Sequence, residues 1–227
     1  MSPTRADTVA QPLAAIDAKS MIVKRFFDIL IAGALLILCL PLLALTAIAV
    51  YLALGRPLFF RQERAGRRML PFQISKFRTM TDERDDTGTL LPDHLRQSPT
   101  TLFLRRIRVD ELPQLLAVLR GDMSIVGPRP LPCNAVRDFG ELGQARCTVR
   151  PGMTGWAQVN GNTLLTARQK IALDIWYIDH RDLKMDIRIL LMTLRTVAIG
   201  EKVDAENLRK AQMHLWRRGA LNASFHT

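Results

Sequence analysis

The stretch Ile29–Leu54, ILIAGALLILCLPLLALTAIAVYLAL, contains no charged residue. An uncharged apolar run of that length exceeds the roughly 18 residues that mark a membrane segment, and an ordinary water-soluble domain has no interior to hide it. The chain therefore reads as attached to a bilayer. A cleaved signal peptide fits poorly, because a mostly polar stretch precedes Lys24-Arg25 and the run continues to Leu54 past the A-x-A-like site at Ala47–Ala49. A buried core helix is the other alternative, and its length argues against it. Pro41 lies at the middle of the run, where its ring removes a backbone hydrogen bond and collides with the preceding turn, so a bend is expected there. Basic residues flank both ends, with Lys19, Lys24 and Arg25 before the run and Arg56, Arg61, Arg64, Arg67 and Arg68 after it. A crossing helix concentrates such residues at its cytoplasmic end. A helix that enters, turns at Pro41 and returns to the same face satisfies both features; a Pro-kinked spanning helix satisfies the first.

The whole chain has 227 residues, 32 Lys+Arg against 21 Asp+Glu and a net charge of +11, with 48% hydrophobic residues. That composition excludes general disorder and suits one domain with appendages. A basic excess invites nucleic acid or an anionic membrane. Aromatics are only 6%, and no basic stretch is interleaved with them as single-strand binders require, so no nucleic-acid partner is expected. Cys39, Cys133 and Cys147 form no C-x-x-C pair and leave an odd count, which points to a reducing compartment and to structural rather than reactive thiols.

The expected organisation is an α-rich α+β membrane-associated domain. Residues 1–20 read as a disordered or loosely docked tail, 21–55 as a re-entrant membrane helix, 56–200 as a compact cytoplasmic catalytic domain, and 201–227 as a charged C-terminal helix. Short strands are expected at Leu58–Phe60 and Phe72–Phe77, bracketed by Gly55, Pro57, Gly66 and Pro71. The polar run Thr81–Asp93 reads as a mobile loop or a short helix. Helical spacing appears in Leu112, Leu115, Leu116 and Leu119, then in Ile171, Ile175 and Ile178, then in Ile187, Leu190, Leu191 and Leu194. The last helix, about Met185–Ile199, is nearly apolar but carries Arg188 and Arg195, which suits either the headgroup plane or the core.

Two adjacent carboxylates, Asp110 and Glu111, stand just before the Leu-rich helix with Pro113 in its first turn. Asp110 reads as an N-cap accepting backbone N–H bonds, with Glu111 favoured by the helix dipole. The same donors would keep a nucleophilic carboxylate ionised, so capping and catalysis are compatible. In Gly127-Pro128-Arg129-Pro130 the prolines stiffen the backbone around Arg129, giving either a solvated turn or a fixed fork for phosphate. Lys76 and Arg105 add cations. Arg150–Gly161 gathers turn residues around Trp156 with the amides of Gln158 and Asn160, and Asp174 and Asp186 lie on or beside later helices. Carboxylates among cations on a membrane anchor suggest a metal and a phosphate-bearing lipid.

Taken in order, KRFFD at 24–28, KFRTMTDERD at 76–85, DELPQL at 110–115, GDMSIVGPRP at 121–130, RPGMTGWAQVNG at 150–161 and LDIWYIDH at 173–180 make the chain resemble the bacterial sugar transferase family of small monotopic phosphoglycosyl transferases. The resemblance runs from about Lys24 to about Ile199. It implies transfer of a sugar-1-phosphate from a UDP-sugar to a polyprenol phosphate such as undecaprenyl phosphate, at the cytoplasmic face of the bacterial inner membrane, with downstream glycosyltransferases extending the product. It further implies Asp110 as nucleophile, Glu111 as ligand of Mg²⁺, and Arg129, Lys76, Arg105, Gln158, Asp174 and Asp186 as substrate-binding or polar site positions. A homodimer is compatible with the sequence. Two departures stand out. Leu40 occupies the place before the membrane proline where the family often has Ser, whose hydroxyl can take up the freed backbone bond, and Gly161-Asn162-Thr163 stands where Gly-Arg-Asn is usual. A metal-dependent glycosyltransferase releasing UDP would commonly carry D-x-D, which is absent, and a non-enzymatic basic membrane scaffold would need no carboxylate pair beside fixed cations.

Overall fold

The computed structural model describes residues 18–218, with side chains from 21 onward. Residues 1–17 of the expected tail and the last residues of the C-terminal segment lie outside this range. The apolar run forms the second half of helix α1 (Ala18–Leu38) and all of α2 (Leu40–Leu54), which meet at Cys39 with a bend of 61°. Pro41 explains the break. It sits in the first turn of α2, where its missing N–H would have lacked a partner in any case. No side chain caps the junction, so the bend forms without the serine hydroxyl that Leu40 replaces. Thr46 Oγ1 donates to the carbonyl of Leu42 at 2.7 Å, one turn further on. No single helix among the described residues is long and apolar enough to cross a bilayer, although the bent pair together passes on length and composition. Ile37, Leu38 and Leu52 are each more than 70% exposed, so the protein itself does not cover this pair.

After Gly55 the chain turns into an antiparallel hairpin of β1 (Phe59–Ala65) and β2 (Pro71–Phe77), with Phe59 opposite Phe77 and their rings 5.1 Å apart. The polar run 81–93 is a loop with one bridge between Arg84 and Leu90; its Asp and Gly residues make turns, and no helix forms there. Ser98 and Thr101 form a reciprocal cap on α3 (Pro99–Arg106). The Leu-rich segment is split into a 3₁₀ helix, Val109–Gln114, followed by α4 (Leu115–Arg120). Pro113 accounts for the split, because it cannot donate the bond that a continuous α-helix needs.

Strands β3 (Ser124–Val126) and β4 (Gly152–Thr154) pair in parallel. A Cβ on Gly127 would lie 2.6 Å from the Arg150 carbonyl, and one on Gly152 2.1 Å from the Gly127 nitrogen, so glycine is what lets these backbones touch. Between them come α5 (Cys133–Asp138) and α6 (Gly140–Arg146). The core then closes around α7 (Trp156–Val159), α8 (Ala167–His180), α9 (Leu183–Ile199) and α10 (Ala205–Arg217). Trp156, Leu173 and Tyr177 are almost wholly buried at its centre. The C-terminal charged helix is not a free appendage, since Leu208, Ala211 and Leu215 bury against the core and His214 and Arg218 both reach Asp179. Helix α9 packs on the core through Met185, Asp186 and Ile189 and leaves Ile187, Leu191 and Leu194 exposed.

Candidate active site

Arg108, two residues past α3, lies in the left-handed region at φ 57° and redirects the chain into the Val109–Gln114 turn. Arg108 occupies the cap position that the sequence suggested for Asp110. Asp110 lies one residue inside the turn and satisfies no other backbone donor there. It is buried, at 5% exposure. Among the described residues its carboxylate finds only its own backbone N–H, with no ion pair. Burial first, and Glu111 second, push its pKa above the ordinary aspartate value, while Lys76 and Arg105 pull the other way. Glu111 is held differently. Burial would raise its pKa, but the Arg129 guanidinium, bonded to both carboxylate oxygens, outweighs burial and leaves it lowered.

Both carboxylates open onto a cavity of about 530 Å³. Lys76 enters from β2, Arg105 from α3, Arg129 from the Pro-flanked turn after β3, and Gln158 from α7. Burial depresses the Lys76 ammonium, opposed by Asp110 and Glu111, and its Nζ lies over the Phe60 ring, 5.3 Å from the centroid. Gln158 donates its amide to the Met153 carbonyl at 3.0 Å and leaves its Oε1 buried without a partner, an acceptor awaiting a donor. These positions converge as the sequence suggested.

Asp174 reaches the same cavity in another role. It accepts from Arg146 Nε at 2.7 Å, and Arg146 Nη2 bonds the carbonyl of Arg129, so Asp174 holds the Arg129 backbone at second hand. Burial raises its pKa despite Arg146. Asp186 does not join the site. It lines a separate cavity, accepting from Lys24 at 2.5 Å and from Tyr177 at 2.7 Å. Sequence reasoning missed Arg108, Arg146, Lys170 and Glu201. Lys170 was detectable, one helical turn before Asp174 on the same face of α8 and also lining the cavity. Glu201 was not: it accepts from Arg108 and from both Asn162 and Thr163, residues far from it in sequence.

A cation site can be tested on the donor set. Glu111 offers hard carboxylate oxygens beside a basic cavity, and the described residues hold no cluster of three or more His, Cys, Asp or Glu. A lone carboxylate already bonded to Arg129 could serve only an ion such as magnesium, which takes one or two carboxylates and needs phosphate oxygens and water to complete its shell.

The chain is similar to known sugar transferases. Residues 19–200 match the family description "Bacterial sugar transferase". The chain is 46% identical over 188 residues to a Bacillus subtilis protein named as an uncharacterized sugar transferase EpsL, covering 82% of this chain and 93% of that one. It is 42% identical over 194 residues to a UDP-glucose:undecaprenyl-phosphate glucose-1-phosphate transferase of Caulobacter vibrioides, covering 81% and 71%. The exopolysaccharide production protein ExoY of Sinorhizobium fredii is 32% identical over 216 residues, covering 88% and 96%.

Proposed function

The chain belongs to the bacterial sugar transferase family, and from that premise we propose that it is a phosphoglycosyl transferase that moves a sugar-1-phosphate from a UDP-sugar to undecaprenyl phosphate, releasing UMP and starting a lipid-linked surface glycan. The observation that carries the chemical part is Asp110, a buried carboxylate with no ion-pair partner among the described residues, facing Lys76, Arg105 and Arg129 across the cavity. An uncompensated buried carboxylate is costly to the fold and is expected where it reacts.

In this mechanism the donor diphosphate enters among the three cations. An oxygen of Asp110 forms a bond to the β-phosphorus, the bridging P–O bond to the α-phosphate breaks, and its electron pair leaves with UMP. The sugar-phosphate is then held as an acyl phosphate on Asp110. A phosphate oxygen of undecaprenyl phosphate attacks the same phosphorus, and Asp110 departs as a free carboxylate. Arg129, stiffened by its prolines and by the Arg146 tether, orients the transferred phosphoryl group. Glu111 would hold magnesium, which when bound neutralises diphosphate charge.

The bent α1–α2 pair is assigned as a re-entrant element inserted from the cytoplasmic face. The 61° bend and the basic residues at both ends support this seating. Downstream glycosyltransferases would extend the lipid-linked product. The reaction type is tested by supplying a panel of UDP-sugars with undecaprenyl phosphate and magnesium. UMP as by-product is expected, and UDP would refute the scheme. Donor without acceptor should add the mass of a sugar-phosphate to the peptide carrying Asp110.

A further inference from the structure

A second cavity, of about 90 Å³, lies on the other side of β3: Ser124 and Val126 line it, while Arg129 lines the first. Three carboxylates border it, and each is already engaged. Asp28 accepts from Ser124 Oγ and the Ile125 N–H, Asp182 from the Met185 N–H, and Asp186 from Lys24 and Tyr177. Three guanidinium groups, Arg67, Arg150 and Arg181, line it with no ion pair among the described residues. Arg67 and Arg150 spend their Nε on the carbonyls of Thr148 and Gly121; Arg67 Nη2 makes only a long contact to Met21 Sδ at 3.9 Å, and the Arg150 fork has no hydrogen bond among the described residues. Arg181 Nη1 is buried without any partner. Burial depresses the pKa of Arg67 and of Arg181; Arg150 depresses Arg67 further, and Arg67 in turn depresses Arg181. Like charges gathered in a cavity, with the nearby carboxylates committed elsewhere, lack an anion.

The rim states what kind of anion. Met21, Val23 and Leu183 are among the cavity's lining, and Ile22 and Phe26, on the same helix as Met21 and Val23, are exposed at 71% and 62%. Ile29, where the uncharged run begins, is about 7.5 Å along α1 from Lys24 at the helical rise. Leu183 opens α9, whose outward face carries Ile187, Leu191 and Leu194. A free phosphate has no use for an apolar rim, whereas a phospholipid needs both parts.

We propose that Arg67, Arg150 and Arg181 form a second anion site, which takes the phosphate of an anionic glycerophospholipid whose acyl chains leave along Met21, Ile22 and Leu183. The site rests on the bilayer seating of α1–α2 proposed above. Because Lys24 and Arg67 belong to the same cavity, a bound headgroup would fix the depth of α1.

The full chain is reconstituted in nanodiscs of equal parts phosphatidylglycerol and phosphatidylcholine, and native mass spectrometry counts the phosphatidylglycerol retained per protein. Arg67→Gln/Arg181→Gln should retain about tenfold less than wild type, the scale of losing charge-assisted bonds. Arg195→Gln, on the exposed part of α9, should retain as much as wild type. Circular dichroism melts establish that the variants fold, and Arg150→Gln replaces the double variant if that one does not. Equal retention in wild type and double variant overturns the site. Equal losses in the double variant and Arg195→Gln overturn it too, because they indicate diffuse attraction. In discs of phosphatidylcholine alone, stabilisation of wild type by inorganic phosphate, without lipid selectivity, assigns the cavity to a free anion and overturns the lipid. Failure of wild type to enter any disc sinks the seating and the inference with it; entry without selectivity sinks the site alone.

Discussion

The cavities around Asp110 and Asp186 are built from the same materials and differ in how they satisfy them. Each has a buried aspartate beside basic side chains. Asp186 is answered by the Lys24 ammonium and the Tyr177 hydroxyl, and the raised pKa of that tyrosine, driven by burial and then by Asp186, reports how closed the arrangement is. Asp110 faces cations across open space and bonds none of them. One carboxylate joins α1 to α8 and α9. The other is kept available, and the fold bears the cost of burying it. A buried aspartate is therefore not by itself a sign of chemistry; the missing counter-ion is.

The largest test of that difference is a pair of isosteric changes. Asp110→Asn should lower transfer at least about 1,000-fold, as removal of a nucleophile does, while Asp186→Asn should leave activity within about tenfold and cost about 1–3 kcal/mol of stability through its unsatisfied partners. Initial-rate UMP release and chemical denaturation separate the two. Burial raises the carboxyl pKa at both positions. The expected sign differs because the change at Asp186 strands Lys24 and Tyr177, whereas Asp110 has no such side-chain partner among the described residues. Its folded pKa lies above the unfolded value, so the carboxyl favours the fold only while protonated, and that advantage is lost as pH rises through the folded pKa. At neutral pH Asp110→Asn should melt at or above wild type, whereas a marked drop in melting temperature would mean that Asp110 is a structural group like Asp186.

Breaking the tether behind Arg129 comes next. Arg146→Met leaves Asp174 buried without its cation and should destabilise by about 3–5 kcal/mol. Adding Asp174→Leu should restore most of that stability without restoring rate, since the Arg129 carbonyl stays unheld. Recovery of both would show that Arg146 only supports the core.

A smaller effect concerns pH. Protonation of Asp110 should switch off transfer, so the acid limb of kcat/KM is expected above the ordinary aspartate value. Lys76 favours the ionised carboxylate, and Lys76→Met should move that limb to higher pH as well as weaken donor binding. A limb that stays in place would detach Lys76 from Asp110. Smallest of all, Glu201→Gln loosens Arg108 and the Asn162–Thr163 turn at a partly exposed ion pair, and should raise the donor KM about threefold with kcat little changed.

Local patterns foretold the elements well where one residue type dominates the local physics. Pro41 broke the membrane run, Gly66 and Pro71 bracketed the hairpin turn, and Ile171, Ile175 and Ile178 marked the inner face of α8. They failed where two rules compete. The Leu-rich segment has helical spacing, but Pro113 breaks it and Arg108 caps it, which moves Asp110 from cap to interior. Of the candidate site, the cations and the carboxylate pair were legible as motifs, whereas the division of labour among Asp110, Asp174 and Asp186 was not, because all three are simply aspartates near helices.

The sequence alone determined that an uncharged run breaks at a central proline, and that the chain carries the ordered motifs of its family, since composition and covalent geometry act locally. Only the tertiary structure decided which buried aspartate goes without an ion-pair partner among the described residues. Partnership depends on side chains as far apart as Lys24 and Asp186, and no local rule reaches across that distance.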